Sequence, residues 1–119
     1  MTGIVDLIVW REAAALATQV GLAAGKMRGF GVQSAAGQLL RAAESIPANI
    51  AEGYGRGVSR DGLRFFRMAK ASADEVESHL RVAGAARRLP PEMIEELLQH
   101  TIRVRYLILR FAASIERRL

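Results

Sequence analysis

Between residues 60 and 85 the apolar positions run Phe66, Ala69, Ala73, Val76, Leu80 and Ala83, at spacings of three and four in strict alternation. That spacing is the seam of a helix in a bundle or coiled coil. Ser59 precedes it as an N-terminal cap, and Asp61 places a negative charge where the helix dipole favours one. Arg60, Arg64 and Arg67 fall on the opposite side, so the first two turns are apolar on one face and cationic on the other. The segment after Pro91 is apolar over a much wider arc. Met93, Ile94, Leu97, Leu98, Ile102, Val104, Leu107, Ile108, Leu109, Phe111, Ala112 and Ile115 sweep roughly two thirds of the circumference at about 100° per residue. Each helix of a four-helix bundle keeps one wet face, so this excess predicts a subunit interface that includes Leu98, Ile102, Arg105 and Leu109. The plainer alternative is a tapered bundle in which this helix sits deeper than the others.

Apolar helical spacing also runs through Leu39, Ala43, Ile46 and Ile50 to Gly53 or Tyr54, across Pro47. A proline inside a helix removes one backbone bond and kinks the axis. The pattern therefore predicts one kinked helix from about Gln33 to Tyr54, with the carbonyl of Ala43 left without its helical partner and the amide of Asn49 placed to bond backbone freed there. Alternating runs of β-branched residues, which a strand requires, are absent. Glycines gather at Gly25 to Gly31 and at Gly53 to Gly57, and Gly84 stands alone. The two clusters predict breaks between helices. A third break falls at Leu89-Pro90-Pro91-Glu92, where proline suits the first turn of a new helix. Four helices with short links favour antiparallel neighbours. The expected fold is all-α, an antiparallel up-down-up-down four-helix bundle in a single domain covering residues 1–119.

Composition narrows the chemistry. There are 119 residues, half of them hydrophobic and 24% charged, which is ordinary for one folded domain. The chain has no cysteine and only two histidines, His79 and His100. Disulfides, thiolate nucleophiles and thiolate metal sites are excluded, and a histidine-built zinc site is not expected. No metal and no cofactor is expected. The apolar stretch from Ile4 to Trp10 is interrupted by Asp6 and followed by Arg11 and Glu12, unlike a secretory leader. No uncharged apolar run reaches the length of a membrane span. The expected location is the cytoplasm, without a membrane partner.

No catalytic constellation emerges, and the expectation is a protein that is not an enzyme. His79 and His100 fall on separate helices with no nucleophile placed by a motif. Glu75 and Glu77, two apart, point to different sides of a helix. Gly53-x-Gly55-x-Gly57 has the look of a phosphate loop, but it follows a helix and lacks Gly-Lys-Ser/Thr. It reads better as a helix-ending turn with positive φ.

The charge is more informative. Seventeen basic residues against twelve acidic give a net +5, and all but Lys26 and Lys70 of the basic residues are arginine. Such a balance permits binding to a polyanion, although arginine can equally form solvated faces and weak local pairs such as Glu52–Arg56. Arg105 lies inside the apolar arc and needs a carboxylate partner, buried or interfacial. Arg56, Arg60, Arg64 and Arg67 remain as an acid-poor cluster and are the candidate nucleic-acid-binding residues, acting on phosphate rather than on base identity. Tyr54 is near enough to stack a base, though core packing is the commoner use of such a residue.

The stretch Arg41-Ala42-Ala43-Glu44-Ser45-Ile46-Pro47-Ala48-Asn49-Ile50-Ala51-Glu52-Gly53-Tyr54-Gly55-Arg56 closely resembles the signature of the four-helix-bundle family encoded by intervening sequences of bacterial 23S rRNA genes. Asp6-Leu7-Ile8-Val9-Trp10 is similar to that family's opening motif. Phe65-Phe66-Arg67-Met68-Ala69-Lys70-Ala71-Ser72, with Glu75 and Glu77, is similar to its third helix. Departures are mild: Glu44 and Ala71 stand where the family pattern has Val and Gly, and the first helix is rich in alanine. The resemblance implies a ring-like homopentamer. A related branch, the accessory variability proteins of diversity-generating retroelements, implies RNA or DNA and a reverse transcriptase as partners. Two functions follow: a nucleic-acid-binding accessory subunit, or a stand-alone homopentameric scaffold without nucleic-acid binding. A reverse transcriptase gene and a template repeat beside this gene would separate them.

Overall fold

Val9, Ala13, Leu16, Val20 and Ala23 recur at helical spacing and are all buried, and they define the inner stripe of α1 (Ile8–Ala24). The other helices are α2 (Val32–Gly55), α3 (Arg60–Ala85) and α4 (Pro91–Arg117). The computed structural model describes Gly3, Ile4 and residues 7–119, and no strand occurs among the described residues. Asp6, from the N-terminal motif, lies outside them. α2 packs on α3, α3 on α4, and α1 on both α2 and α4. The result is an all-α four-helix bundle measuring 47 × 22 × 21 Å.

The seam of α3 runs down the middle of the core. Phe66, Ala69, Ala73, Val76 and Leu80 are fully buried, and Phe66 stacks on Phe111 of α4 with ring centroids 4.6 Å apart. α3 begins as its sequence demands: the Ser59 hydroxyl accepts from the Gly62 N–H at 2.9 Å and donates to the Arg56 carbonyl. α4 begins with Pro91 at its first turn. Thr101, the one buried polar residue among those described, donates its hydroxyl to the Leu97 carbonyl at 2.7 Å. It therefore leaves no unmet donor in the core.

α2 runs unbroken through Pro47, with Ile46 and Ile50 fully buried on either side. Asn49 does brace this region, but through a different carbonyl from the one expected. Its amide donates to Ser45 at 2.9 Å, not to Ala43. In an α-helix the Asn49 side chain leans back over the turn that ends at Ser45, which makes that carbonyl the nearer one. Ser45 ties α2 to α3 through the Ser72 hydroxyl at 2.6 Å.

The second glycine cluster also divides differently. Gly53 and Gly55 belong to α2, and only Gly57 has the positive φ (67°) of a turn. Gly53 is glycine because α3 is so close: a Cβ there would stand 2.7 Å from the Phe66 ring and 3.0 Å from the Gly62 carbonyl. Gly62 faces backbone in the same way, against the Gly57 carbonyl. Two glycines thus let the end of α2 touch the start of α3, and this approach sets the geometry of the turn where the arginines gather.

Candidate functional site

Arg56 caps the C-terminus of α2, Gly57 reverses the chain, and Arg60, Arg64 and Arg67 follow on the first turns of α3. All four side chains are exposed. The turn also presents a ring: Phe65 lies under the guanidinium of Arg56, 4.8 Å from its centroid, and under that of Arg64 at 4.6 Å. Both guanidiniums are thus within cation–π range of one ring.

The cluster is not acid-poor, and this corrects the sequence-based expectation. Asp61 bonds Arg64 at 2.8 and 3.2 Å and also pairs with Arg56. Arg56 has Glu52 at 3.7 Å as well. Arg67 bonds Glu116, near the end of α4, at 3.1 Å. Arg60 alone of the four has no carboxylate within 4.0 Å among the described residues. The hydrogen bond from Arg64 holds the Asp61 carboxyl below its ordinary range; desolvation opposes it and Arg56 adds to it. Asp61 thus serves both as the negative charge at the helix start and as the counter-ion of the patch. Its spacing of three before Arg64 was visible in the sequence. The approach of Glu116, 49 residues away, was not.

On α4 the arc divides in two. Leu98 packs inside this chain and is 6% exposed, with Leu97, Thr101, Val104 and Ile108 beside it. Ile102 and Leu109 face outward, 39% and 49% exposed, and Tyr106 lies between them at 57%. Tyr106 extends the apolar arc beyond the positions that define it in the sequence. Arg110 bonds its hydroxyl at 3.4 Å and lies over its ring. Arg105 finds its carboxylates within the chain: Glu77 at 2.6 Å and Asp74 at 3.1 Å, both on α3. Glu77 in turn raises the Arg105 guanidinium's proton affinity, with Asp74 adding to it, and Arg105 and Arg81 hold Glu77 below the usual glutamate value.

The histidines serve packing between and within helices. His100 places Nδ1 2.9 Å from the Gln19 amide oxygen and Nε2 3.2 Å from Glu12, joining α4 to α1. His79 lies 3.5 Å from Glu75 on its own helix. Among the described residues no group of three or more His, Cys, Asp or Glu side chains is arranged to hold a metal ion. No helix of the described residues is long and apolar enough to cross a membrane.

No curated protein matches this sequence. The family model described as 23S rRNA-intervening sequence protein matches residues 5–110. That span takes in the Pro47 helix, the glycine approach at Gly53 and Gly62, the arginine turn and most of α4. The chain belongs to the 23S rRNA-intervening sequence protein family.

Proposed function

We propose that this chain is a non-enzymatic, self-assembling cytoplasmic protein that binds nucleic acid through backbone phosphates, as an accessory subunit to a reverse transcriptase of the diversity-generating kind. The helices are taken to run up, down, up and down, antiparallel, and to assemble as a ring-like homopentamer. The cross-helix partners support the antiparallel course: Arg67 pairs with Glu116 while Glu77 pairs with Arg105, and Glu12 lies near Arg103 while Gln19 lies near His100. The observation that carries the function is the exposed row of Arg56, Arg60, Arg64 and Arg67 around one turn, two of its guanidiniums in cation–π contact with Phe65. Exposed ion pairs are worth little, so phosphate oxygens can replace Asp61 and Glu116 as acceptors at small cost.

A salt titration of binding to RNA and to single- and double-stranded DNA tests this. The log–log slope should be roughly −0.7 to −0.9 for each phosphate neutralised. Replacing Arg60, Arg64 and Arg67 with glutamine should flatten the slope and weaken all sequences alike, with helicity and assembly unchanged. A triple variant with the wild-type slope defeats the proposal. The second function, a homopentameric scaffold without nucleic acid, is favoured by the carboxylates already on Arg56, Arg64 and Arg67. That titration decides between them, and a reverse transcriptase gene beside this one would favour the first.

A further inference from the structure

A second group of cations without counter-ions lies in the two loops of the α1–α2 and α3–α4 connections. Those loops are joined by a backbone bond from the Arg28 N–H to the Arg88 carbonyl at 3.0 Å. Between them opens a recess of about 1050 Å³ whose walls include Lys26, Arg28, Arg87 and Arg88, with Met27 and Leu89 as apolar lining. None of these four cations has a carboxylate within 4.0 Å among the described residues.

Two features distinguish this cluster from an ordinary basic loop. The half-buried Arg88 lays its guanidinium against the Gly29–Gly31 turn, and two of its three nitrogens, Nε and Nη1, are buried with no hydrogen-bond partner among the described residues. Buried donor nitrogens without an acceptor are costly, and well-folded chains avoid them. Arg87 has a left-handed backbone, φ 56°, the sole non-glycine residue with positive φ among those described. It occupies the position after the end of α3 where glycine is the usual choice: Arg88 N–H bonds the Ala83 carbonyl and Arg87 N–H bonds that of Gly84, closing the helix. Cations near the C-termini of α1 and α3 do complement the helix dipoles. That effect explains neither the two unpaired nitrogens of Arg88 nor an arginine where glycine would relax the backbone. Backbone strain and unpaired donor nitrogens in one place point to a ligand.

We propose that Arg88, with Lys26, Arg28 and Arg87, forms a binding site for a phosphomonoester group in this recess. Arginine's planar fork matches two phosphate oxygens at once, and the surrounding cations suit a dianion. The recess is large enough for a nucleotide, so the phosphate belongs either to a free nucleotide or to the 5′ end of a nucleic acid. The site does not depend on the arginines of the α2–α3 turn.

Calorimetric titration of the full chain with adenosine 5′-monophosphate and with adenosine tests the chemistry. The monophosphate should bind saturably and adenosine should not. Arg88→Gln should weaken binding at least tenfold, and Arg88→Lys should restore part of it. The glutamine variant of Arg60, Arg64 and Arg67 should bind the monophosphate as the wild type does, which keeps this site separable from the function proposed above. A second readout guards against misfolding of the Arg88 variants. Arg88→Met removes the unpaired buried nitrogens and should melt above the wild type, while the monophosphate should raise the melting temperature of the wild type only. Matched oligonucleotides with and without a 5′-phosphate identify the source: a gain from the 5′-phosphate assigns a nucleic-acid end, and equal binding assigns the free nucleotide. Equal binding of the monophosphate by wild type and Arg88→Gln, or equal binding of adenosine, overturns the proposal.

Discussion

Gly53 shows how one residue governs the turn that carries the arginines. A Cβ at this position meets the Phe66 ring at 2.7 and 2.8 Å, and that ring is fully buried and stacked on Phe111, so it has nowhere to go. Gly53→Ala should therefore destabilise by about 1–3 kcal/mol, the usual range for overpacking, read as a lower urea midpoint with an unchanged slope. Glu77 governs a different contact at the same scale. Arg105, and then Arg81, hold its carboxyl below the ordinary value of 4.5. A carboxyl depressed by folding adds stability above its unfolded pKa and loses it as pH falls through the folded one. Glu77→Gln should thus be less stable than wild type near neutral pH. The gap between their urea midpoints should close as pH falls below 4.5; a gap that persists in acid would assign the effect to packing instead.

At the scale of the element, α2 depends on its neighbours to remain one helix. Pro47 removes a backbone donor in its interior. The fully buried side chains of Ile46 and Ile50 hold the two halves to the core on either side of it, and Ser45 adds a bond to Ser72 of α3. Ile46→Ala or Ile50→Ala should each cost on the order of 2–5 kcal/mol, measured by chemical unfolding. A continuous helix across a proline was legible because the apolar spacing never slips at Pro47. Which carbonyl Asn49 would take was not legible, since that depends on how a side chain lies along its own helix.

For the whole molecule, the outer half of the α4 arc is exposed within one chain. Ile102, Tyr106 and Leu109 form an exposed strip at spacings of four and three, the pattern that a partner helix reads. Light scattering at micromolar concentration should return a multiple of 13.0 kDa, five-fold for the proposed ring. Ile102→Glu combined with Leu109→Glu should return the mass to one chain while helical circular dichroism is kept, because neither residue belongs to the chain's own core. A wild-type mass of one chain would show the strip to be only a wet apolar face.

The sequence by itself determined the four helices, their breaks at the glycine and proline positions, the buried seam of α3 and the Ser59 cap. All of these depend on local spacing and backbone chemistry, which are readable along one dimension. It also determined which arginines gather at the α2–α3 turn, since those lie within a dozen residues of one another. Only the tertiary structure decided which charges are answered. Glu116 reaches Arg67 because the end of α4 returns to the start of α3, and Asp74 and Glu77 reach Arg105 across the same interface. Arg87 and Arg88 are adjacent in the sequence, two residues before Pro90, and no periodicity marks them. Their meeting with Lys26 and Arg28, some sixty residues earlier, follows from two distant loops closing over one end of the bundle. Long-range charge pairing has no periodicity to reveal it, and the fold alone brings those groups within reach.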